Sequence, residues 1–248
     1  MTRKPNLDTI PREYLRSPLI RTVLVTGAGR GLGLEFVRQY SAAGWRVLAC
    51  ARTPAKSASL TALVQGSAEK IIVHALDVTD HAGIDGLSRR LADTPIDVLL
   101  NVAGMQASSG FGKSNYQVWT DAFRVNVLAP MKLAEAFVAQ VAASDQKKIV
   151  TLSSTLGSMG ENDSGGLYGY RSTKAAVNAI MKSMSIDLAA RGIIAVPMHP
   201  GWVRTDMGGP RAPIDVQTSV AGMLRVIDEL TQAQSGKFLT YTGATLPW

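Results

Sequence analysis

A short apolar run that leads directly into closely spaced glycines constrains the fold of this chain more than any other feature. Residues 22–26 are β-branched or leucine, which predicts a buried strand. Residues 27–33 contain four glycines, and the amphipathic pattern that follows predicts a helix over 34–43, ended by Gly44. Glycines between a strand and a helix allow the backbone to approach a phosphate at the helix N-terminus. The order therefore predicts a phosphate-binding loop, with an ordinary glycine-rich turn as the alternative.

Strand-like and helix-like patterns alternate along the rest of the chain. Helices are predicted over 57–65, 83–91, 116–142 (with a kink at Pro130), 170–190 and 216–230. Further strands are predicted over 46–51, 70–76, 97–100, 148–152, 193–198 and 238–240. Such alternation predicts an α/β fold, a Rossmann-type doubly wound parallel sheet of about seven strands with helices on both faces. We expect one domain over 21–248, preceded by an N-terminal extension over 1–20.

Composition excludes several classes of protein. We find no apolar stretch of 18 residues and no apolar signal core near Met1, so we expect no membrane span and a cytoplasmic location. Cys50 is the only cysteine, which excludes an internal disulfide. The formal net charge is +7, but the basic residues are scattered and not interleaved with aromatic residues. We therefore expect no nucleic-acid partner, and an anionic small ligand accounts for part of the charge.

The end of the second predicted strand indicates which nicotinamide cofactor would fit a dinucleotide-binding fold. An acidic residue at that position binds the ribose 2′-hydroxyl of NAD. Here the strand ends at Ala51-Arg52, and Arg30 in the glycine loop supplies a second cation. Arginine binds phosphate in a bidentate manner, which suits the 2′-phosphate of NADPH and NADP+. The pair favours NADP over NAD, with two solvated surface arginines as the alternative.

Tyr170 and Lys174 are four residues apart in a predicted helix, and therefore lie on one face, one turn from each other. An ammonium group near a tyrosine hydroxyl favours the phenolate and lowers the tyrosine pKa, which would give a proton donor that works at neutral pH. On spacing alone, an amphipathic helix with a solvated lysine is the simpler explanation of the pair. Asn126, inside another predicted helix, is open to a functional role and to that of a satisfied helix asparagine.

Taken together, the motifs resemble the short-chain dehydrogenase/reductase family over nearly the whole chain after residue 20. The departure from the family pattern is Val102, where a second asparagine is usual, and the loop between Ser154 and Tyr170 is a few residues longer than usual. Residues 199–210 and the tail 236–248 resemble the C-factor/sniffer-type subgroup, related to NADPH-dependent carbonyl reductases. The matching motifs, in order, are Thr26-Gly27-x-x-x-Gly31-x-Gly33, Asp77-Val78, Asn101-x-Ala103-Gly104, Asn126, Ser154, Tyr170-x-x-x-Lys174 and Pro200-Gly201 with Thr205.

The resemblance implies a role for each of four catalytic residues. Tyr170 would protonate a substrate carbonyl, and Lys174 would lower the pKa of Tyr170 and hold the nicotinamide ribose. Ser154 would hydrogen-bond the substrate oxygen, and Asn126 would position a water on a proton relay to Lys174. The residues implied for cofactor binding are Gly27, Gly29, Arg30, Gly31, Leu32, Arg52, Asp77, Val78, Asn101, Ala103, Gly104, Tyr170, Lys174, Pro200, Gly201, Val203 and Thr205.

The leading interpretation is an NADPH-dependent oxidoreductase that reduces an aldehyde, ketone or quinone to an alcohol. We expect a small-molecule carbonyl or alcohol as its partner, no membrane, and a homodimer or homotetramer. The alternative is a nucleotide-sensing or signalling protein on the same scaffold with little turnover, which would not need a complete catalytic set. A serine hydrolase at Ser154 lacks the G-x-S-x-G motif and a histidine partner in His74 or His81. A zinc enzyme lacks a cluster of ligands, so we expect no metal.

Overall fold

The computed structural model of the protein describes residues 20–107 and 109–248. The predicted extension over 1–20 therefore lies outside the described residues except for Ile20. Seven strands in the described part pair in parallel in the order β3-β2-β1-β4-β5-β6-β7, which confirms the doubly wound sheet. The strands are β1 (Thr22–Thr26), β2 (Arg46–Ala51), β3 (Ile71–Ala75), β4 (Val98–Asn101), β5 (Lys148–Leu152), β6 (Ile194–His199) and β7 (Leu239–Thr240).

Helices cover both faces of the sheet. The α-helices of the described part are α1 (Gly31–Ala42), α2 (Ala58–Gln65), α3 (His81–Arg90), α4 (Tyr116–Phe123), α5 (Ala129–Ala142), α6 (Tyr168–Asp187) and α7 (Val216–Glu229). The helices α1, α2 and α7 contribute to one buried core, and α3, α5 and α6 to the other. Successive side chains of a strand point to opposite faces, so Val23 and Val25 of β1 enter the first core and Leu24 enters the second.

The helix boundaries in the structure differ from the predicted ones by up to three residues, and the largest differences are at α1 and α6. Helix α1 starts at Gly31 instead of residue 34, because the end of the glycine loop already forms the first helical turn. Helix α6 starts at Tyr168 and ends at Asp187, and a separate 3-10 turn, Ala189–Arg191, precedes Gly192. The earlier start places Tyr170 within the first turn of α6.

The long helix predicted over 116–142 is interrupted in the structure. A π-helical turn, Arg124–Leu128, separates α4 from α5 and contains Asn126. Pro130 follows this turn and has no backbone N–H, so it cannot donate to the carbonyl of Asn126 four residues earlier. Proline thus disrupts the helix as predicted, but the irregularity precedes it as a wider turn. Such turns in helices are frequent at functional sites.

The same stretch also qualifies the expectation that no segment could span a membrane. Over Tyr116–Ala142, an 18-residue window reaches a mean hydropathy of 1.2, so by length and composition this helical run is sufficient to cross one. Half of that window is buried inside the fold. Core helices of folded proteins meet the same criterion, and Leu133 and Phe137 are buried in the second core.

Candidate active site

The predicted site residues gather at one edge of the sheet. Because all strands are parallel, the segments that follow their carboxyl ends meet at the same edge, which is where doubly wound folds bind ligands. Helix α6 and the π turn add their side chains at this edge. The predicted residues lie at or after the ends of β1 (Gly27, Gly29, Arg30, Gly31, Leu32), β2 (Arg52), β3 (Asp77, Val78), β4 (Asn101, Ala103, Gly104), β5 (Ser154) and β6 (Pro200, Gly201, Val203, Thr205), or on α6 (Tyr170, Lys174) and the π turn (Asn126).

The glycine loop is tight enough to require glycine at two positions. Gly27 has a φ of +68°, and a Cβ there would lie 2.9 Å from the backbone of Ala103. A Cβ on Gly33 would lie 2.1 Å from the Gly27 carbonyl oxygen. These contacts press the loop against the segment after β4 and against the first turn of α1. The loop thus leads directly into the N-terminus of α1, the arrangement that a phosphate-binding loop requires.

The ends of β1 and β4 are joined by a side chain that sequence reasoning did not assign a role. The buried Thr26 hydroxyl oxygen accepts hydrogen bonds from the backbone N–H groups of Val102 and Ala103, at 3.0 and 3.2 Å. The backbone amide of Val102 is thus held from β1, although the family's usual second asparagine is missing at this position. A threonine at the end of β1, directly before the glycine loop, is the signal that could have indicated this contact.

Asn101 provides a test of whether a dinucleotide fits the site. Its side-chain nitrogen donates to the Thr151 hydroxyl at 3.1 Å. Its side-chain oxygen is buried and has no hydrogen-bond partner among the described residues. A buried acceptor without a partner is costly, so a donor from a bound ligand would stabilise it. Together with the glycine loop, this unpaired acceptor at the carboxyl end of β4 fits a ligand rich in hydroxyl groups, such as a dinucleotide.

One of the two arginines predicted to bind the 2′-phosphate is paired with another residue in the structure. Arg30 forms an ion pair with Asp206, in the segment after β6, at 2.5 Å. Arg52 is exposed at the end of β2. Hydrogen bonds from Thr79 lower the pKa of the Asp77 carboxyl, and the charge of Arg52 lowers it further. Arg52 therefore keeps a position suited to a ribose phosphate, whereas Arg30 must leave Asp206 to reach one.

Ser57 is a further polar residue beside the glycine loop that sequence reasoning missed. Its hydroxyl donates to the Gly29 carbonyl oxygen at 2.6 Å and accepts from the backbone N–H of Leu60, which caps α2. The serine after a proline-containing turn and before a helix is a recognisable N-cap signal. Its contact with Gly29 was not readable, because it depends on how β2 and the glycine loop pack.

Tyr170 and Lys174 are brought together as predicted, but their electrostatics differ from the expectation. The Lys174 ammonium lies 5.6 Å from the centroid of the Tyr170 ring and donates to the Leu152 carbonyl oxygen at 2.8 Å. Burial raises the pKa of Tyr170 to about 12, and a hydrogen bond with Ser154 offsets only part of that. The expected lowering of the tyrosine pKa is therefore wrong for this structure, because the ammonium faces the ring and a carbonyl oxygen instead of the phenol oxygen.

Burial also lowers the pKa of Lys174 to about 8. The group is fully surrounded by protein, and desolvation disfavours its charged form. The unfolded chain has the ordinary pKa of 10.5, so between pH 8 and 10.5 the unfolded state binds more protons than the folded state. Stability then rises with pH across this window, and the cost of burying the charge is present in full below it.

We therefore expect the wild-type protein to gain about 2 kcal/mol of unfolding free energy from pH 7.5 to 9.5 relative to the Lys174→Met variant, which has no charge to bury. Denaturant unfolding at both pH values, without added nucleotide, measures the difference. Equal pH dependence in the two proteins would show that Lys174 keeps an ordinary pKa in the folded state.

Ser154 lies at the end of β5, where the chain turns into a short 3-10 segment. Its hydroxyl oxygen accepts from the Leu156 backbone N–H at 3.2 Å, and it hydrogen-bonds Tyr170. His199, at the end of β6, accepts from the Thr155 N–H through Nδ1 at 3.4 Å. Burial lowers the pKa of His199 to about 4, so the imidazole is neutral and its proton lies on Nε2. Sequence reasoning did not consider His199 as a base for Ser154. Its Nδ1 is occupied by the Thr155 N–H and its basicity is low, so it does not supply the histidine partner of a serine hydrolase.

Asn126 is a satisfied asparagine that also shapes the site. Its side-chain oxygen accepts from the Met105 N–H, and its nitrogen donates to the Met105 carbonyl oxygen, both at 2.8 Å. The same nitrogen donates to the Thr173 hydroxyl at 3.0 Å. The side chain thus ties the segment after β4 to α6, next to Lys174. Both polar atoms of the side chain are engaged, and the Asn126 carbonyl oxygen, which Pro130 leaves without its helical donor, is a further acceptor that a water relay at this position could use.

Comparison with known proteins decides the family. The sequence profile described as "short chain dehydrogenase" matches residues 21–214. The chain belongs to the short-chain dehydrogenase family. A "1-hydroxy-2-glutathionyl-2-methyl-3-butene dehydrogenase" of Rhodococcus sp. (strain AD45) is 31% identical over 234 residues, which cover 92% of this chain and 99% of that protein. The "C-signal" protein of Myxococcus xanthus is 41% identical over 155 residues, covering 62% of this chain and 93% of that protein.

Solved structures of short-chain dehydrogenases resemble the chain over most of its length. The carbonyl reductase Sniffer of D. melanogaster superposes with a TM-score of 0.86 at 32% identity, covering 92% of this chain and all of that one. The NADPH-bound carbonyl reductase from chicken fatty liver gives a TM-score of 0.84 at 32% identity, covering 92% and 99%. These relatives confirm the C-factor/sniffer-like subgroup within the family. Short-chain dehydrogenases bind a nicotinamide cofactor, and the glycine loop and Asn101 of this chain fit one.

Across residues 20–107 and 109–248, no group of three or more His, Cys, Asp or Glu side chains is placed to hold a metal ion. Cys50 is buried in β2, and burial raises the pKa of its thiol to about 12. The thiol is therefore protonated and packed in the second core at neutral pH.

Proposed function

We propose that this short-chain dehydrogenase reduces the carbonyl group of an aldehyde, ketone or quinone with NADPH, and that Tyr170 donates the proton. The observation that carries the proposal is the cluster of Tyr170, Ser154 and Lys174 at the carboxyl edge of the sheet. A hydroxyl pair and a buried ammonium converge there beside the glycine loop. Two hydroxyl donors on one side of a carbonyl oxygen are what its reduction to an alcohol requires.

The nicotinamide group, when bound, supplies the hydride that the carbonyl carbon accepts. Tyr170, with a pKa of about 12, is protonated at neutral pH and can donate from its hydroxyl to the substrate oxygen. Ser154 shares a hydrogen bond with that hydroxyl and can orient the same oxygen. When the proton leaves Tyr170, the positive charge of the nearby Lys174 ammonium stabilises the negative charge that develops on the phenol oxygen. Its pKa of about 8 leaves it mostly protonated at pH 7.

The proposed choice of NADPH over NADH rests on Arg52, which is exposed at the end of β2 beside Asp77. No acidic side chain follows β2 directly, so a ribose 2′-hydroxyl would lack its usual acceptor there. The NADP-bound relatives, including a putative short-chain dehydrogenase/reductase from Burkholderia multivorans at 29% identity and a TM-score of 0.82, support this choice.

We expect Arg52→Asp to weaken NADPH binding about 10- to 100-fold and to leave NADH binding equal or tighter, because a carboxylate repels the 2′-phosphate and accepts from a 2′-hydroxyl. Calorimetric titration with both nucleotides measures the change. Arg46→Asp is the matched control, since it makes the same charge change at the exposed start of the same strand. An unchanged NADPH affinity in Arg52→Asp would remove the arginine from the proposed phosphate contact.

Oxidation of NADPH at 340 nm with a panel of aldehydes, diketones and quinones tests the activity. Turnover supports the reductase. Tight NADPH binding without turnover on any carbonyl would favour the alternative of a nucleotide-sensing or signalling protein, which the name of the Myxococcus relative also suggests.

Homodimer or homotetramer formation and a cytoplasmic location stay part of the proposal. An apolar groove of about 510 Å³ between α5 and α6 offers a surface for self-association.

A further inference from the structure

We infer that Trp248 is a positioning residue for the active-site loop, and that the tail ending in it sets the substrate-facing wall of the site. The active-site loop is defined here as residues 155–169, the segment between Ser154 and Tyr170. The inference rests on the proposed function for its kinetic consequences. Its structural claim rests on contacts around β7, the outermost strand of the sheet. The proposed chemistry does not use these contacts.

The tail folds back from the last strand as a hairpin. After β7 the chain turns at residues 241–243, and the Thr240 N–H donates to the Ala244 carbonyl oxygen at 2.8 Å. The Leu246 N–H donates to the Phe238 carbonyl oxygen at 2.7 Å. Because β7 pairs with the end of β6, the hairpin extends the sheet at its carboxyl edge. The returning arm runs antiparallel to β7 and ends where Trp248 meets residues 158–160.

Trp248 then contacts the active-site loop with its main chain. Its main-chain oxygen accepts three hydrogen bonds, from the Met159 N–H at 2.6 Å, the Gly160 N–H at 3.1 Å and the Ser158 hydroxyl at 3.0 Å. Ser158 is 2% exposed, so its bond is shielded from water. Three donors on one oxygen fix both the position and the direction of the loop at this point.

The indole ring anchors the other side of the same contact. It stacks on the ring of Phe238, with centroids 5.9 Å apart and an interplanar angle of 19°. Phe238 is fully buried, and it immediately precedes β7. The stack therefore fixes Trp248 to the start of β7. The main-chain oxygen of Trp248 in turn fixes the active-site loop to that strand.

The loop is held on its opposite side by α6. A Cβ on Gly157 would lie 2.7 to 2.9 Å from the backbone and Cβ of Lys174, so the loop and α6 are in direct contact. The Asn178 side chain also donates to the Gly157 carbonyl oxygen at 3.4 Å. The segment that follows Ser154 is thus clamped between the helix that carries Tyr170 and Lys174 and the oxygen of Trp248. Releasing one clamp would widen the space between Ser154 and Tyr170.

The hairpin makes a separate contact with the cofactor side of the site. The Tyr241 ring lies close enough to Gly201 that an added Cβ would be 3.1 Å from it. That contact belongs to the turn of the hairpin and does not involve Trp248. A change at Trp248 is therefore expected to affect the substrate side and to spare the residues proposed to bind the nucleotide.

Trp248→Ala and Ser158→Ala test the inference. We expect each to raise the KM for a carbonyl substrate about 5- to 10-fold, with the NADPH Kd unchanged within about twofold, because the loop loosens while the glycine loop does not. The double variant should be no worse than the poorer single one, since both changes release the same clamp. Trp248→Phe, which keeps a ring on Phe238, should restore most of the KM.

Amide hydrogen exchange gives a readout that does not depend on turnover. Faster exchange at Met159 and Gly160 in Trp248→Ala, without a general increase elsewhere, would support the clamp even if the wild-type protein reduces no carbonyl and the proposed function fails. Trp45→Ala is the control for lost stability, because Trp45 is more buried than Trp248, at 9% against 40% exposure, and packs on Tyr40 directly before β2. It should lower the melting temperature without changing KM.

Two results would overturn the inference. One is unchanged exchange at Met159 and Gly160 in Trp248→Ala. The other is an active wild-type enzyme whose KM is the same in Trp248→Ala, or changes no more than in Trp45→Ala, which would reduce Trp248 to a general contribution to stability.

Discussion

Replacing Tyr170 by phenylalanine is expected to lower the rate of carbonyl reduction about 10³-fold while the NADPH Kd stays within about threefold. The change removes the hydroxyl that is hydrogen-bonded to Ser154 and keeps the ring beneath the Lys174 ammonium. Steady-state oxidation of NADPH at 340 nm gives the rate, and calorimetry gives the affinity. Loss of the proton donor should appear in kcat, because the hydroxyl acts in the transition state and not in nucleotide binding.

Tyr168→Phe is the matched control for this experiment. Tyr168 begins α6, two residues before Tyr170, and its side chain is exposed against Phe111. It should keep wild-type rates within about twofold. Unchanged turnover in Tyr170→Phe would remove Tyr170 from the mechanism, whatever the control shows.

Gly33→Ala is expected to affect the ligand site and the fold together, with a loss of NADPH affinity of about 10-fold or more and a lower melting temperature. The added Cβ would lie 2.1 Å from the Gly27 carbonyl oxygen, so the glycine loop must move away from α1. Overpacking of this kind costs about 1–3 kcal/mol. Because the loop is proposed to hold the diphosphate, the displacement should reach the ligand as well as the fold. Calorimetric titration and thermal unfolding measure the two parts.

Gly86→Ala makes the same chemical change where there is room. Gly86 lies inside α3, and an added Cβ would meet its nearest side-chain atom at 3.6 Å, an ordinary contact. Alanine in a helix interior is more stable than glycine by about 0.5–1 kcal/mol, so this variant should be neutral or slightly stabilised and should bind NADPH normally. If Gly33→Ala behaves like this control, the glycine loop is not the tight cradle that its geometry indicates.

The fold could be predicted from the sequence because its signals are local. The strand over 22–26 and the glycines that follow it share one short stretch, and periodicity alone separated strands from helices in most of the chain. Where the prediction differed from the structure at the π turn, the neighbouring residues carry no signal for the feature. The π turn at Arg124–Leu128 depends on how Asn126 is held by Met105 and Thr173, which are distant in the chain.

The site was predictable in its members and less so in its electrostatics. The spacing of Tyr170 and Lys174 predicts that they are neighbours, and they are. It does not show that the ammonium donates to the Leu152 carbonyl oxygen, or that burial outweighs its effect on the tyrosine pKa. The pairing of Arg30 with Asp206 likewise joins segments far apart in the chain. Side-chain direction in such contacts is set by packing, which residue types alone do not determine.

Transfer of the hydride is the central claim, and a labelled cofactor tests it most directly. NADPH carrying deuterium at the transferred position of C4 would be incubated with the purified protein and a carbonyl that supports oxidation at 340 nm. Mass spectrometry of the alcohol should show one deuterium on the former carbonyl carbon in the wild-type reaction. An alcohol formed without deuterium, or no alcohol from any carbonyl despite tight NADPH binding, would contradict the proposed reductase.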